Sequence, residues 1–538
     1  MLKQKILEDL KLAVKELGFP TSDIILSSSK NPAFGDYSTN VVLQLAKLKP
    51  ENGKQSPQEI ANKIVSNLSN LSYLNKVEVA GGGFINFFVK AENLANNLKE
   101  ILERKESFGK SEIGKGKKAR VEYISANPTG PLHIGNARGG PLGDTVANVL
   151  AFCSYEVLRE YLDNNVGGQV EALGATVKAK YHGNLASQNQ YQGEYINDLV
   201  KDLEVEIEGK SDLEIGGMAV SLIYEDIMAD THAMGIKFDL VVHESQLRKE
   251  APEIIEELQK KGVVKEKDGA LWLAPNDEFL KDRETVIKKS DGNYTYFTSD
   301  IVYHKQKFAT GADLVINVWG SNHHGHISRM QAAIGALGFN PQKLKVILYQ
   351  YVRVRRGIDI VKMSKRAGNF VTAREVLDEV GVDAFRFYLL RFSPQTHMDF
   401  DLELLKQQSN KNPVYYVQYA YVRMVNIIKK VNSTQFAVGS AANINYSLLS
   451  LKPELDLIKH LLNFPDLIEE IAANCQVQQL TEYAICLADL FHKFYENCPV
   501  LQAESGQLIQ ARLALVRAAK ITLANVLKLL GVSAPERM

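Results

Sequence analysis

Cysteine is scarce in this chain. The four residues, Cys153, Cys475, Cys486 and Cys498, show no zinc-ligand or disulfide-framework spacing. That excludes a disulfide-built fold and predicts buried free thiols in a reducing cytoplasm. A surplus of charge is missing as well: 63 basic residues face 63 acidic ones, for a formal net charge of zero. A nucleic-acid partner is therefore not legible in the global charge and would need local basic faces. No apolar run approaches the roughly 18 residues of a membrane span. The segment from Met1 to Lys11 reads as an amphipathic helix without a signal peptide's apolar block, and Glu8 and Asp9 argue against a transit peptide. The expectation is a cytoplasmic protein with no membrane partner. Internal repeats and low-complexity segments are absent too. What is present is an ordinary globular composition, 45% hydrophobic and 23% charged. At 538 residues the chain is long enough for three or four domains.

The hydrophobic pattern divides the chain into three. In residues 1–112, Leu2, Ile6, Leu10 and Leu17 fall on one helix face, and Val77 to Val89 reads as two strands joined by a glycine turn, an α+β unit. A Gly- and Lys-rich linker runs from Gly109 to Lys118. Residues 113–404 begin with an alternating strand, Arg120 to Ile124, then the turn Asn127-Pro-Thr-Gly-Pro131, then a helix to about Phe152. Strand, Gly/Pro turn and helix in series open a parallel α/β sheet. Residues 171–265 read as a mostly helical, charged insertion, and strands return at 313–319 and 345–349. Residues 405–538 are helical to the end, with Gly531 at the C-cap position of the last helix and Pro535 beyond it.

Two short motifs carry chemistry. His133-Ile134-Gly135-Asn136 opens the helix after the first strand of the sheet, and Lys362-Met363-Ser364-Lys365 lies far downstream. Alone, the first is a tight turn with one histidine and the second a solvated basic loop. Together, in this order and this setting, they describe an ATP site. Gly135 lets a purine lie against bare backbone, His133 can donate to a phosphate oxygen as charge develops there, and the helix N-terminus adds partial positive charge. Two lysines on a loop can close on a leaving pyrophosphate. The triplet His323, His324, His326 has no acidic or cysteine partner nearby in sequence, so magnesium carried by ATP is expected rather than a protein-held metal.

The motif pair resembles the HIGH and KMSKS signatures of class I aminoacyl-tRNA synthetases, and longer strings narrow the resemblance to the arginyl-tRNA synthetase family. Phe34-Gly-Asp-Tyr-Ser-Thr-Asn40 and Gly83-Phe-Ile-Asn86 resemble that family's N-terminal domain. Arg159-Glu-Tyr161 with Asn164-Asn-Val-Gly-Gly-Gln169 resembles its REYYINDAGNQ segment, and Tyr191-Gln-Gly-Glu-Tyr195 its YxGEY element. Ser290 to Tyr296, Asp300 to Lys305, Trp319 to Gly325, Asn412 to Ala420 and Gly531 to Met538 complete a match that runs from end to end.

The resemblance implies a multidomain α/β fold. It has a class I synthetase Rossmann-like parallel-sheet catalytic core (113–404), an α+β N-terminal domain on the tRNA elbow (1–112) and an all-α anticodon-binding bundle (405–538). It implies activation of arginine by ATP and transfer of arginine to the 2′-hydroxyl of the terminal adenosine of tRNA-Arg, by a monomer whose first step needs bound tRNA. His133, Asn136, Lys362 and Lys365 take the catalytic positions, and Gly135, Met363 and Ser364 join them around ATP. Glu244 and Asp300 are the guanidinium partners, with Tyr296 four residues before Asp300. Asn127 meets the amino acid backbone, and Gln169, Asn322 and His323 complete the pocket. Phe84, Asn86, Tyr415, Tyr419 and Arg423 are the expected tRNA contacts: aromatics can stack on unpaired bases and cations can follow phosphates.

The chain departs from the family pattern at four places. Asn136 stands for the second His of HIGH; its amide donates a hydrogen bond but carries no charge. Asn165 and Asn322 stand where Asp is common. Gly130 stands where one branch places a lysine, and that branch often lacks a recognisable KMSK, which this chain has. Two rival readings remain open. One is a small-molecule nucleotidyltransferase of the same sheet type, against which the helical C-terminal region argues. The other is a tRNA-binding paralogue without catalysis, against which His133, Lys362 and Lys365 argue.

Overall fold

The computed structural model describes residues 2–22, 24–29, 32–47, 56–184, 191–274, 284–357, 359–361, 371–433 and 444–538. The first region opens with α1 (Leu2–Glu16), whose four- and three-residue spacing buries Leu2, Ile6, Leu10, Ala13 and Val14. Then come β1 (Ser27–Ser28), β2 (Tyr37–Thr39), α2 (Val41–Leu45), α3 (Pro57–Leu68), β3 (Leu74–Ala80) and β4 (Phe84–Val89). Ser56 and Glu59 form a reciprocal capping box at the start of α3. The strands pair antiparallel in the order β1-β2-β4-β3, and β3 and β4 are the expected hairpin. Short helices α4 (Ala91–Asn96) and α5 (Leu98–Arg104) lead out of the unit.

The central region begins with β5 (Lys118–Glu122), α6 (Ile134–Ala137), α7 (Gly139–Phe152), β6 (Glu156–Asp163), α8 (Gly168–Tyr181), α9 (Tyr195–Leu203) and α10 (Asp212–Ala233). It continues through β7 (Leu240–His243), α11 (Glu244–Leu247), α12 (Ala251–Lys260), β8 (Val264–Lys267), β9 (Ala270–Leu273), β10 (Thr285–Lys288), α13 (Tyr296–Ala309), β11 (Leu314–Gly320), α14 (His324–Ala336) and β12 (Leu344–Tyr349). Five strands make one all-parallel sheet in the order β12-β11-β5-β6-β7. The chain starts at the centre, winds outward to β7, then returns to the other side of β5. That reversal opens a crevice at the carboxyl ends of β5 and β11, where such sheets bind ligands.

The interval 171–265 is not the uniform helical insertion expected. It holds α8, α9 and α10, but Leu240–His243 inside it is the edge strand of the main sheet. At four residues with only Val242 buried, that strand is too short to show a clear period among charged helices. Helices α8 and α10 touch backbone to backbone. A Cβ on Gly174 would overlap the Asp212 carbonyl, and one on Gly216 the Val170 carbonyl.

Under the sheet's carboxyl end lies a buried charge network. Lys307 Nζ donates to Glu122 Oε2 at 2.5 Å and to Asn317 Oδ1 at 3.0 Å, and Tyr303 Oη donates to Glu160 Oε2 at 2.7 Å. Arg120 pairs with Glu160. Removing one member of such a set strands a charge and costs about 3–5 kcal/mol.

Past the sheet come β13 (Val352–Arg356), β14 (Asp359–Ile360), α15 (Ala373–Val380), α16 (Val382–Leu389), β15 (Met398–Asp401) and α17 (Leu402–Leu405), with β13 between β14 and β15. The last region packs α18 (Pro413–Ser433), α19 (Lys452–Leu462), α20 (Phe464–Asn474), α21 (Gln478–Asn497) and α22 (Gly506–Leu530). Gly531 ends α22 at φ 66°.

Arg386, fully buried on α16, ties this region to the sheet. It donates to Leu530 O and Met234 O at 2.9 Å each and to Asp144 Oδ2 on α7 at 2.5 Å. Across a cavity of about 1010 Å³, Lys3 pairs with Asp466 and Lys459 with Asp36, joining the first region to the last. Cys153, Cys475 and Cys498 are buried as expected, but Cys486 is exposed on α21, at the wall of that cavity. Among the described residues no helix is long and apolar enough to cross a membrane.

Candidate active site

The carboxyl ends of the strands frame two adjoining cavities that share Asn136, Gly320, Asn322 and Tyr349. The larger, about 920 Å³, is lined by His133, Gly135, Gln350, Tyr351, Arg353 and Val361 among others. The smaller, about 620 Å³, brings together Asn127, Gln169, Tyr191, Glu244, Tyr296 and Asp300, with His323 and His326 at its wall.

The backbone leaving β5 is held in an unusual shape. Ile124 and Ser125 both adopt positive φ, 66° and 39°. For a β-branched residue this is a costly conformation, of the kind that persists where surrounding structure imposes it. Here Ser125 Oγ donates to Glu122 Oε1 at 2.9 Å and accepts from Leu162 N at 3.1 Å. The following residues cross the strand ends and reach α6. His133 is the N-cap of α6, and its Nδ1 accepts from Asn136 N at 3.3 Å. A Cβ on Gly135 would lie 2.9 Å from His133 Cε1, so glycine there also leaves room for the imidazole. Asn136 is the third residue of α6, not its cap, and lines both cavities.

Next to α6, Arg138 is fully buried and donates to the carbonyls of Gln350, Ser393 and Thr396 at 2.8–3.0 Å, which fixes the helix against the loop after β12 and the segment between α16 and β15. Lys362, Met363, Ser364 and Lys365 lie outside the described residues. The chain on either side of them is at the larger cavity. Ile360 and Val361 line it, while Ile134 N donates to Val371 O at 3.2 Å and Ala373 N to Leu132 O at 2.7 Å.

In the smaller cavity, amides form a chain. Asn164 Nδ2 donates to Asn127 Oδ1 at 3.0 Å, and Asn127 Nδ2 to Gln169 Oε1 at 3.1 Å. Asn165 accepts from Ser245 N at 3.1 Å and so fixes the turn that carries Glu244. Glu244 is 1% exposed. Its Oε1 accepts from Arg248 Nε at 3.1 Å, Arg248 Nη2 at 3.0 Å and Ser299 Oγ at 3.2 Å. Its Oε2 is buried with no hydrogen-bond partner among the described residues. Burial pushes the carboxyl's pKa up, and Arg248 opposes that push.

Asp300, one helical turn after Tyr296 on α13, accepts from His326 Nε2 at 2.9 Å through Oδ2. Behind it, His304 donates from Nδ1 to Asp300 O at 2.8 Å, and its Nε2 accepts from Asn317 Nδ2 at 2.7 Å. Burial, with Lys307 close by, holds this imidazole's pKa well below the ordinary range, so it stays neutral. Two histidines of the triplet converge on Trp319, His326 at 5.4 Å and His323 at 6.1 Å between ring centroids, with their own rings 6.4 Å apart, and His326 also bonds Asp300. No group of three or more His, Cys, Asp or Glu that could hold a metal ion occurs among the described residues.

Sequence reading missed Arg248, Ser299, His326 as a partner of Asp300, and the Asp163–His243 pair at 2.8 Å beside Glu244. Arg248 had a signal, its four-residue spacing from Glu244; the others depend on strand order.

None of the expected tRNA contacts lines these cavities, and they differ among themselves. Tyr415 and Tyr419, one turn apart on α18, have parallel rings 6.3 Å apart. The Arg423 guanidinium sits 4.8 Å over Tyr419 and 4.7 Å over Tyr495, and donates to Tyr419 Oη at 2.7 Å. Phe84 is 44% exposed at the start of β4. Asn86, two residues on in β4 between β2 and β3, is buried at 3% exposure.

Comparison with known proteins covers the whole chain. Residues 97–387 match the family model "tRNA synthetases class I (R), catalytic domain", residues 1–89 "Arginyl tRNA synthetase N terminal domain", and residues 417–538 "DALR anticodon binding domain". A relative from Carboxydothermus hydrogenoformans, named arginine–tRNA ligase, is 40% identical over 528 residues, covering 95% of this chain and 94% of its own. Another of that name, from Oceanobacillus iheyensis, is 40% identical over 558 residues, covering 100% and 99%. The solved Thermus thermophilus arginyl-tRNA synthetase superposes over 100% of both chains with a TM-score of 0.79 at 23% identity, a likeness of fold.

Proposed function

The chain belongs to the arginyl-tRNA synthetase family of class I enzymes, and from that premise we propose how its residues divide the work. The reaction is arginine–tRNA ligation: arginine is activated with ATP to arginyl-adenylate and then transferred to the terminal adenosine of tRNA-Arg. The larger cavity takes ATP, which brings its own Mg2+ on the phosphates. Gly135 offers bare backbone to the purine. His133 and Asn136, with Lys362, Met363, Ser364 and Lys365, meet the phosphates. The smaller cavity takes arginine: Asn127 and Gln169 meet its amino acid end, Glu244, Asp300 and Tyr296 its guanidinium, and Asn322 stands where the two cavities meet.

The observation that carries this reading is Glu244 Oε2. A buried carboxylate oxygen without a partner costs free energy unless something fills the vacancy. A guanidinium is the donor that matches two facing carboxylates. The amino acid's carboxylate oxygen then attacks the α-phosphorus and pyrophosphate leaves. Catalysis is by positioning and by donors aimed at developing charge, without a covalent enzyme intermediate. Three domains, 1–112, 113–404 and 405–538, would present tRNA to this cleft, through Phe84 at the elbow side and Tyr415, Tyr419 and Arg423 at the anticodon side. The enzyme works as a cytoplasmic monomer and activates arginine only with tRNA bound.

The test is Asp300→Asn and Glu244→Gln in aminoacylation assays. Each leaves the guanidinium with one charged acceptor fewer, so kcat/KM for arginine falls by the equivalent of about 2–5 kcal/mol while the KM for ATP holds. Unchanged arginine kinetics in both variants would mean the pocket lies elsewhere.

A further inference from the structure

Glu244 presents one oxygen to the cavity and gives the other to the protein itself. Its Oε1 is saturated by three donors, two from the Arg248 guanidinium and one from Ser299, while Oε2 has none among the described residues. Arg248 lies outside the cavity lining but leans on it. Its guanidinium stands 5.6 Å from the ring centre of Tyr296, and it remains partly exposed while Glu244 is not. A guanidinium of the protein's own thus occupies the outer edge of the carboxylate that would receive the substrate's guanidinium.

We propose that Arg248 is a positioning residue for arginine: by fixing Oε1 of Glu244, it leaves Oε2 as the single, pre-aimed acceptor for the substrate. The proposal rests on the reading of Glu244 as a guanidinium acceptor. Rotation of the carboxylate would break both Arg248 bonds, so the acceptor is set before substrate arrives, and little ordering remains to be done on binding.

Arg248 has a second consequence. Burial disfavours the charged form of Glu244, and so does Asp300, the acidic group facing it from α13; Arg248 is the cation that offsets them. The remaining neighbours are the Ser299 hydroxyl and Tyr296 on α13. His243, the preceding residue, is engaged by Asp163 on β6. Without Arg248 the carboxyl takes up a proton at higher pH than in the wild type and loses its value to a cation.

The experiment is the arginine KM of Arg248→Met in aminoacylation, measured as a ratio to wild type from pH 6.5 to 9, beside Arg248→Lys and Glu244→Gln. Arg248→Met should raise KM by about 10- to 100-fold across this range, because the acceptor is no longer fixed, and the rise should be largest at the acid end, where the carboxyl is also easier to protonate. kcat should change little. Arg248→Lys keeps the charge but loses the fork, so its KM should rise only about two- to tenfold, with no pH trend in the ratio. Glu244→Gln should be impaired equally at every pH. If Glu244→Gln is impaired as stated but Arg248→Met shows an unchanged or a lowered KM, the proposal is overturned while the pocket stands. If Glu244→Gln leaves KM unchanged, the pocket itself is wrong. Should Arg248→Met fail to fold, Arg248→Lys decides: a wild-type KM overturns the proposal.

Discussion

Asn136 occupies the position where the family signature carries a second histidine, and its place in α6 narrows what it does. The N-cap of that helix is His133, whose ring accepts from the Asn136 amide N–H, so the Asn136 side chain is not needed to cap the helix. It faces the seam between the two cavities, where the α-phosphate and the amino acid carboxylate would meet. Asn136→Ala should therefore lower single-turnover activation by roughly 10- to 1,000-fold, the range for losing one donor to developing charge, and leave the melting temperature in place. Asn136→His should retain activity. A variant that melts early yet activates at the wild-type rate would assign Asn136 a structural role.

Single residues also mark how far the sequence could be read. His133 and Gly135 were named by their motif, and Asn127, Glu244 and Asp300 by the family resemblance; the fold brings all five to adjoining cavities. The burial of Asn86 was not legible, because a strand residue's burial depends on which strands flank it, and that pairing is not local information. His326 on Asp300 could not be foreseen for the same reason: α13 and α14 meet only once β11 is placed between them.

At the scale of elements, the turn after β5, the hairpin of β3 and β4 and the long helix α22 were written in periodicity and punctuation. The edge strand β7 was not, being four residues inside a helical stretch. Nor was the join between α7, α16 and α22. That join centres on one buried arginine, beside a bond from Asn148 Nδ2 on α7 to Leu529 O at 3.1 Å. Arg386 closes the carbonyl end of α22, bonds Met234 O after α10 and neutralises Asp144 on the helix that follows the His133 motif. Arg386→Met would leave the buried Asp144 with only Arg159, 3.9 Å away, as a cation and one terminal carbonyl of α22 open. Stability should fall by about 3–5 kcal/mol, seen as a lower midpoint in urea unfolding. A midpoint equal to wild type would mean that the surrounding helices, not this ion pair, hold the join.

On the scale of the whole molecule, the proposed tRNA contacts on α18 do not line the substrate cavities. The cavities lie at the strand ends, whereas the stacked Tyr415, Tyr419 and Arg423 lie along α18. With zero net charge overall, RNA affinity must come from such local faces. Arg423→Ala removes a cation and unlocks the Tyr419 hydroxyl, so the KM for tRNA should rise by about 1–3 kcal/mol equivalent while the KM values for arginine and ATP stay put. A matching rise in arginine KM would show that the two ends of the molecule are not independent.

What joins these scales is the claim that two carboxylates, Glu244 and Asp300, choose the substrate by its charge. Citrulline keeps the length and shape of arginine but replaces one donor with an acceptor and has no charge, so it would set an oxygen against a carboxylate. The decisive measurement is kcat/KM for charging tRNA-Arg with arginine and with citrulline, using the unaltered enzyme. A pocket built from these two carboxylates rejects citrulline by at least about 10³-fold, as sites made to hydrogen-bond a missing donor do. Charging of citrulline within about tenfold of arginine would contradict it.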